Sequence, residues 1–237
     1  MISSTLGVLG GMGPKATAVF IERIVEHTAA KQDQDHINMV VLNHAALPDR
    51  TEAIESGNYD NFTDAIHRDL KLLEQAGAAN IAVPCNTSHF FYGQMQQMTS
   101  VPIIHMVDET IRTVRETDSS IERIGLLATN GTVKSGVYAN SCVEYGLDLV
   151  VPPNQLQREI SEIIYEQVKR NGDLNAAGLV HIIDQLITDY RCDRVIIACT
   201  ELSCIPLPAE QGQHVVDAME VLVKQSILRS GGILKAI

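Results

Sequence analysis

The sequence predicts an α/β fold of two pseudo-symmetric domains, each a parallel sheet flanked by helices, with a cleft between them. Three observations carry this prediction. Short apolar runs of strand length alternate with longer stretches of helical periodicity along the chain, the pattern of buried parallel strands covered by helices on both faces. The order of elements restarts near residue 123. A cysteine recurs at the same place in each half, ending an apolar run at Cys85 and again at Cys199.

The first half opens on a buried strand at residues 5–9, followed by the glycine turn Gly10-Gly11-Met12-Gly13. A helix spans 14–29, with Pro14 in its first turn, where a missing N–H costs nothing. Residues 38–42 form a second strand. Phe62, Ile66, Leu70 and Leu73 recur at helical spacing over 61–75, and Gly77 ends that helix. Residues 80–84 and 101–105 are strands three and four. The order then begins again with a strand at 123–128, a helix to about Tyr145 and a strand at 147–151. Helices at 154–169 and 174–190, strands at 194–198 and 214–216, and a last helix to Leu228 complete the chain.

The restart is an internal repeat. Gly7-Val8-Leu9-Gly10 matches Gly125-Leu126-Leu127-Ala128, and Ala82-Val83-Pro84-Cys85-Asn86-Thr87 matches Ile196-Ile197-Ala198-Cys199-Thr200-Glu201. Ile104-His105-Met106-Val107-Asp108 matches Gln213-His214-Val215-Val216-Asp217. The expected division is residues 1–107 joined by a returning C-terminal 215–237, with 108–214 as the second domain.

Composition narrows the function. The chain has 237 residues, 29 acidic against 18 basic side chains and a formal net charge of −11. A chain of this charge, without a basic stripe, gains little from a polyanion, so no nucleic-acid partner is expected. No apolar run is long enough to span a bilayer, and the first residues lack the zones of a signal peptide. A cytoplasmic protein with no membrane partner is the expectation. The five cysteines are odd in number and irregularly spaced, which argues against a disulfide framework. No Cys-x-x-Cys or paired-His spacing suggests a metal site.

In open parallel sheets ligands bind beyond the carboxyl ends of the strands. Those ends carry Gly10-Gly11-Met12-Gly13, Asn43-His44, Cys85-Asn86-Thr87, Thr129-Asn130-Gly131-Thr132 and Cys199-Thr200-Glu201. With the halves facing each other, Cys85 and Cys199 look across one cleft. Two opposed thiols suit a racemase, which removes a proton from one face of a carbon and delivers one to the other. Helical patterns from Ser88 and from Leu202 follow the two cysteines, so helix N-terminal amides are expected to stabilise each thiolate. Cys142, Cys192 and Cys204 read instead as ordinary buried core thiols.

Five segments in this order, Leu9-Gly10-Gly11-Met12-Gly13-Pro14, Pro48-Asp49-Arg50-Thr51, Pro84-Cys85-Asn86-Thr87, Leu127-Ala128-Thr129-Asn130-Gly131-Thr132 and Cys199-Thr200-Glu201, resemble the signature segments of the cofactor-independent aspartate/glutamate racemase superfamily. The resemblance runs from about Leu6 to Asp217 and is greatest to the aspartate racemases. It implies two α/β domains with the active site between them, no pyridoxal phosphate, no metal, and commonly a homodimer. It implies that Cys85 and Cys199 are the acid/base pair. Asn86, Thr87, Thr129, Thr132 and Thr200 would bind the ammonium and α-carboxylate of a small amino acid, with the backbone at Met12 close by. Arg50 is the first candidate for a side-chain carboxylate, its planar guanidinium matching that group. Lys169 is the second, because the segment holding Tyr165 and Lys169 resembles the one that supplies a lysine in aspartate racemases. Both also read as solvated surface charges. Glu201 would meet the ammonium or hold a proton near Cys199, or serve only as a helix-start acid, and Asp49 is either a second such carboxylate or a turn residue. His89 reads as a helix residue turned away from the cleft, and His105 and His214 as structural. Glutamate racemases carry an Asp-Ser turn after the first strand and a histidine after the second cysteine-threonine pair. Here those places hold Gly11-Met12-Gly13 and Glu201, which favours aspartate over glutamate.

Other readings remain open from sequence. A related isomerase or decarboxylase of the superfamily, or a racemase of another amino acid, would keep this architecture. A nucleotide-binding protein would use the glycine turn, but the Gly-x-Gly-x-x-Gly spacing is incomplete. A two-lobed small-ligand binder would leave both thiols idle.

Overall fold

The computed structural model describes residues 4–236. Strand β1 (Leu6–Gly10) lies between β2 (Met39–Asn43) and β3 (Asn80–Ala82), all parallel, in a three-stranded sheet. In the second sheet β4 (Arg123–Leu127) lies between β5 (Asp148–Val150) and β6 (Arg194–Ile197), and β7 (Val215–Asp217) adds to the outer side of β6. In each half the first strand is central, the second flanks one side and the third the other. The internal repeat is therefore a repeat of topology.

A fourth strand at 101–105 does not form. Ile103 makes one isolated bridge to Ile81, and the Ile81 N–H donates to the Pro102 carbonyl at 2.9 Å. Pro102 has no N–H to extend the ladder. The corresponding place in the second sheet is filled by β7.

The helices are α1 (Pro14–His27), α2 (Arg50–Ser56), α3 (Asp60–Gln75), α4 (Tyr92–Met98), α5 (Met106–Thr117), α6 (Asn130–Ser135), α7 (Val137–Glu144), α8 (Asn154–Glu162), α9 (Ala177–Thr188) and α10 (Ala218–Arg229). Helices α2 and α5 add to those read from sequence, α4 falls within the helical pattern from Ser88, and three further features depart from that reading. The helix expected to reach Tyr145 breaks at Gly136, whose φ of 69° ends α6. The stretch after α8 winds on as a π-helix over Ile163–Arg170. Beyond Cys199 there is only a three-residue 3₁₀ turn, Leu202–Cys204, and beyond Cys85 a 3₁₀ turn, Thr87–Phe91, precedes α4. Pro206 biases Ile205 to extended backbone and stops the second turn. The expected helix that would stabilise a Cys199 thiolate through its dipole does not form.

Both central strands are buried on both faces. Leu6 and Val8 pack on Phe20 and Ile24 of α1 and on Met219 and Leu222 of α10. Leu9 packs on Phe62, Ile66 and Leu70 of α3. In the second half Ile124 and Leu126 meet Ile111, Val114 and Tyr138, while Leu127 meets Ile160, Ile164 and Ile183. Strand β7 pairs in the second sheet, whereas α10 packs against the first half. We therefore propose that the chain returns to the first unit after Asp217, in place of the expected 214. At that crossing Arg23 of α1 donates to Asp217 Oδ2 at 2.8 Å and to the Ser203 carbonyl, and Ser203 Oγ donates to Asp217 Oδ1 at 2.6 Å. Among the described residues no helix is long and apolar enough to cross a membrane.

The turn after β1 is held by a close backbone approach. Gly11 has φ +97°, and a Cβ there would lie 2.3 Å from the carbonyl carbon and oxygen of His44 at the end of β2. Gly11→Ala is expected to destabilise the fold by about 2 kcal/mol or more, read as a thermal midpoint lower by roughly 5 °C. An unchanged melt would show that the two strand ends are free to part.

Candidate active site

The carboxyl ends of β1, β3, β4 and β6 converge on one cleft, which holds a small cavity partly open to solvent. Met12 comes from the turn after β1, Cys85, Asn86 and Thr87 from the turn after β3, Thr129 from the end of β4, and Cys199, Thr200 and Glu201 from the turn after β6. Arg50 at the start of α2 and Lys169 on the π-helix complete the wall. Every one of these sequence-predicted residues lines the cavity. Thr132 stands just behind it, hydrogen-bonded to Thr87 at 2.8 Å and to Thr129 at 3.0 Å. Thr87 and Thr129 are 3.0 Å apart, so three buried hydroxyls from both halves close a ring.

Cys85 is buried, and its carbonyl accepts from Ser88 Oγ at 2.7 Å and from His89 Nδ1 at 2.9 Å. The other ring nitrogen, Nε2, accepts the Met106 N–H at 3.1 Å, which fixes His89 as the neutral Nδ1–H tautomer. His89 therefore clamps the Cys85 turn to the start of α5 and does not line the cavity. Burial, with the nearby His105 adding to it, pulls His89 down to about 4. The unfolded chain then binds one more proton than the folded one between pH 4 and about 6.5. Stability is complete above that window and falls with acidification by about 1.4 kcal/mol per pH unit within it. His89→Gln is expected to flatten the slope of denaturation midpoint against pH there by one proton. An unaltered slope would remove His89 as its source.

Cys199 is also buried, and its Sγ donates to Glu201 Oε2 at 3.2 Å. Desolvation, then the Glu201 charge, raise this thiol well above the usual range, and the Lys169 ammonium opposes them. Lys169 Nζ lies 3.5 Å from Glu201 Oε1 and 5.0 Å from the centroid of the Tyr165 ring. Tyr165 OH and Thr51 Oγ1 lie 3.4 Å apart across the cleft. The other three thiols are buried and pushed up by desolvation, Cys142 to about 12 and Cys192 and Cys204 to about 11.

Arg50 is only 9% exposed. Its Nη1 donates to the Pro48 carbonyl at 3.1 Å, its Nε has no partner, and no described carboxylate forms an ion pair with it. Asn86 Oδ1 accepts from Tyr138 OH at 2.6 Å, leaving buried Nδ2 unpaired. Burying a cation without an anion is costly. Asp49 caps α2 by accepting the Glu52 N–H at 2.9 Å and also lines the cavity. Tyr165 and Thr51 line it as well. Their signals in sequence are adjacency, Tyr165 four residues before Lys169 and Thr51 beside Arg50.

The family model described as Asp/Glu/Hydantoin racemase matches residues 9–226. The chain belongs to that racemase family. Its membership makes it an isomerase. An aspartate racemase of Picrophilus torridus is 30% identical, with a TM-score of 0.82 over 98% of this racemase chain and 96% of that one. The broad specificity amino-acid racemase RacX of Bacillus subtilis (strain 168) is 27% identical over 94% of this chain and 96% of its own length. The glutamate racemase isoform RacE1 of Bacillus anthracis shares the fold, at 19% identity and a TM-score of 0.63, over 99% of this chain and 85% of that one.

Proposed function

We propose that this racemase interconverts the enantiomers of a small acidic amino acid, aspartate first, by proton transfer between substrate and the thiols of Cys85 and Cys199, without pyridoxal phosphate or metal. The observation that carries the substrate class is Arg50, a buried guanidinium with no anionic partner among the described residues. A second carboxylate on the substrate would meet it, with Lys169 beside it. Thr87, Thr129 and Thr200 offer hydroxyls, the first two braced by Thr132 from behind the cavity, and Asn86 Nδ2 offers a donor, to the α-carboxylate and to the charge that collects there as the α-carbon loses its proton. One thiol enters each turnover as thiolate and the other as thiol. The thiolate removes the α-proton from its face, the thiol delivers its own to the opposite face, and the two exchange roles.

A broader amino-acid specificity is the second reading. A larger, more open cavity adjoins the site and shares Asp49, Arg50, Lys169 and Glu201 with it, and the RacX relative is named for broad specificity. Longer side chains would extend there. Family resemblance supports a homodimer, and the composition supports a cytoplasmic location, as further parts of the proposal.

The test is α-hydrogen exchange. Protein free of added cofactor, incubated in D₂O with each enantiomer of aspartate, glutamate and alanine, is expected to place deuterium at the α-carbon and bring the optical signal to zero, fastest for aspartate. No α-deuterium on any amino acid would overturn the reading and leave the small-ligand binder.

A further inference from the structure

The turn that carries Cys85 is held from the other half of the molecule. Asn86 and Thr87 follow β3, and their partners stand beyond β4. Thr87 Oγ1 meets Thr129 and Thr132 at 3.0 and 2.8 Å. Tyr138 of α7 donates its hydroxyl to Asn86 Oδ1 at 2.6 Å. Tyr138 stands behind the cavity, 1% exposed, in the apolar layer of Val107, Ile111 and Leu126. A hydroxyl there is costly unless it is hydrogen-bonded. Burial pushes the phenol well above its usual range, so it keeps its proton and stays a donor. Thr110 of α5 is a second polar neighbour of the phenol, and Thr110 Oγ1 itself donates to the Met106 carbonyl at 2.7 Å.

Asn86 is 3% exposed and lines the cavity. The last torsion of an asparagine is broad and roughly two-fold, so the shape of the pocket alone does not choose which end of the amide faces inward. The hydrogen bond chooses. With Oδ1 accepting from Tyr138, the buried Nδ2 is left without a partner among the described residues. It carries two N–H donors.

We propose that Tyr138 is a positioning residue of the second half, which sets the Asn86 amide of the first half so that Nδ2, and not Oδ1, is offered to the α-carboxylate of the substrate. The inference rests on the carboxylate-binding role given to Asn86 above. In the turned-over amide Oδ1 would face that carboxylate, and two acceptors repel. The α-carboxylate is common to every amino acid, so Tyr138 governs how well any substrate is held, whereas Arg50 governs which. Asn86 is set only when the two halves are docked.

The experiment is a double-variant cycle on Tyr138→Phe and Asn86→Ala. Tyr138→Phe keeps the ring and removes the hydroxyl. It is expected to lower kcat/KM by roughly tenfold, through both kcat and KM, and by the same factor for aspartate and for alanine. Asn86→Ala is expected to cost as much or more. The double variant should be no worse than Asn86→Ala, because a hydroxyl that acts only through Asn86 has nothing left to hold. A residue that merely supports the fold would cost the same factor in both backgrounds. That additive result overturns the inference, as does a Tyr138→Phe protein with wild-type kcat/KM. Asn86→Asp keeps an acceptor for Tyr138 and puts an oxygen where Nδ2 stands. It is expected to lose at least as much as Asn86→Ala, and near-wild-type activity in it would overturn the inference even if Tyr138→Phe failed to fold. Calorimetric affinity for racemic aspartate carries the same cycle without chemistry. A wild type that binds aspartate but places no deuterium at its α-carbon sinks the racemase reading, and the four affinities still decide the role of Tyr138.

Discussion

Cys85→Ser and Cys199→Ser are each expected to lower racemisation by a factor of roughly 10³ or more, with little change in melting temperature. A serine hydroxyl is far less acidic than a thiol, so it neither supplies a base near neutral pH nor readily donates to a carbanion. Both cysteines are nearly sealed, at 5% and 4% exposure, and oxygen for sulfur is a small change in volume. The loss should therefore fall on chemistry. The two variants should also differ from a protein that has merely lost its pocket. With one thiol left, abstraction and return occur on one face, so each variant is expected to exchange the α-hydrogen of one enantiomer with solvent while leaving its configuration intact. Chiral chromatography of the product and mass spectrometry of its α-deuterium read the two outcomes separately. Full racemisation by either variant would rule out proton transfer by opposed thiols.

The parts of this arrangement that were legible in sequence are those that local pattern encodes. Gly7-Val8-Leu9 and Gly125-Leu126-Leu127 announce central strands because strands buried on both faces need unbroken apolar runs, and both are central. Cys85 and Cys199 mark a candidate site because each follows such a run at the carboxyl edge of its sheet, and both line one cavity. What escaped was set by tertiary context. Helix α5 carries Val107, Ile111 and Val114 on a buried face, yet charged residues at 108, 109, 112, 115 and 116 dominate its composition. Pro48-Asp49 reads as a turn and is one, but Asp49 turns the chain into α2 as its cap. The π register over Ile163–Arg170 leaves no mark in composition, because shifting from i→i+4 to i→i+5 bonding changes side-chain direction and not residue preference. Nor does any local rule show that a guanidinium in Asp49-Arg50-Thr51 is buried. Packing of α2 against α6 across the cleft does that, with Gly131 of α6 so close to Thr51 that a Cβ there would lie 2.6 Å from Oγ1.

Arg50→Ala is expected to lower kcat/KM for aspartate by roughly 100-fold or more, the scale of a lost charge-assisted hydrogen bond in a dry site. Alanine, which has no second carboxylate, should lose far less. Lys169→Ala should act in the same direction by roughly tenfold, because its side chain is 30% exposed and its Coulomb energy is partly screened. Arg50→Lys should not restore Arg50, since an ammonium lacks the planar fork that meets a carboxylate with two bonds. The same residue makes a prediction about stability that a surface arginine would not. In the free protein the Arg50 charge is desolvated with no anion among the described residues to offset it, so the thermal midpoint of Arg50→Ala should be no lower than that of the wild type. Adding a non-reacting dicarboxylate such as succinate should raise the midpoint of the wild type and leave that of Arg50→Ala where it was. An equal loss of activity toward aspartate and alanine, together with an equal response of both proteins to succinate, would take the anion-binding role from Arg50 and with it the case for an acidic substrate. A loss confined to aspartate would mean that the burial of one unpaired cation, costly to the fold, is what selects the substrate.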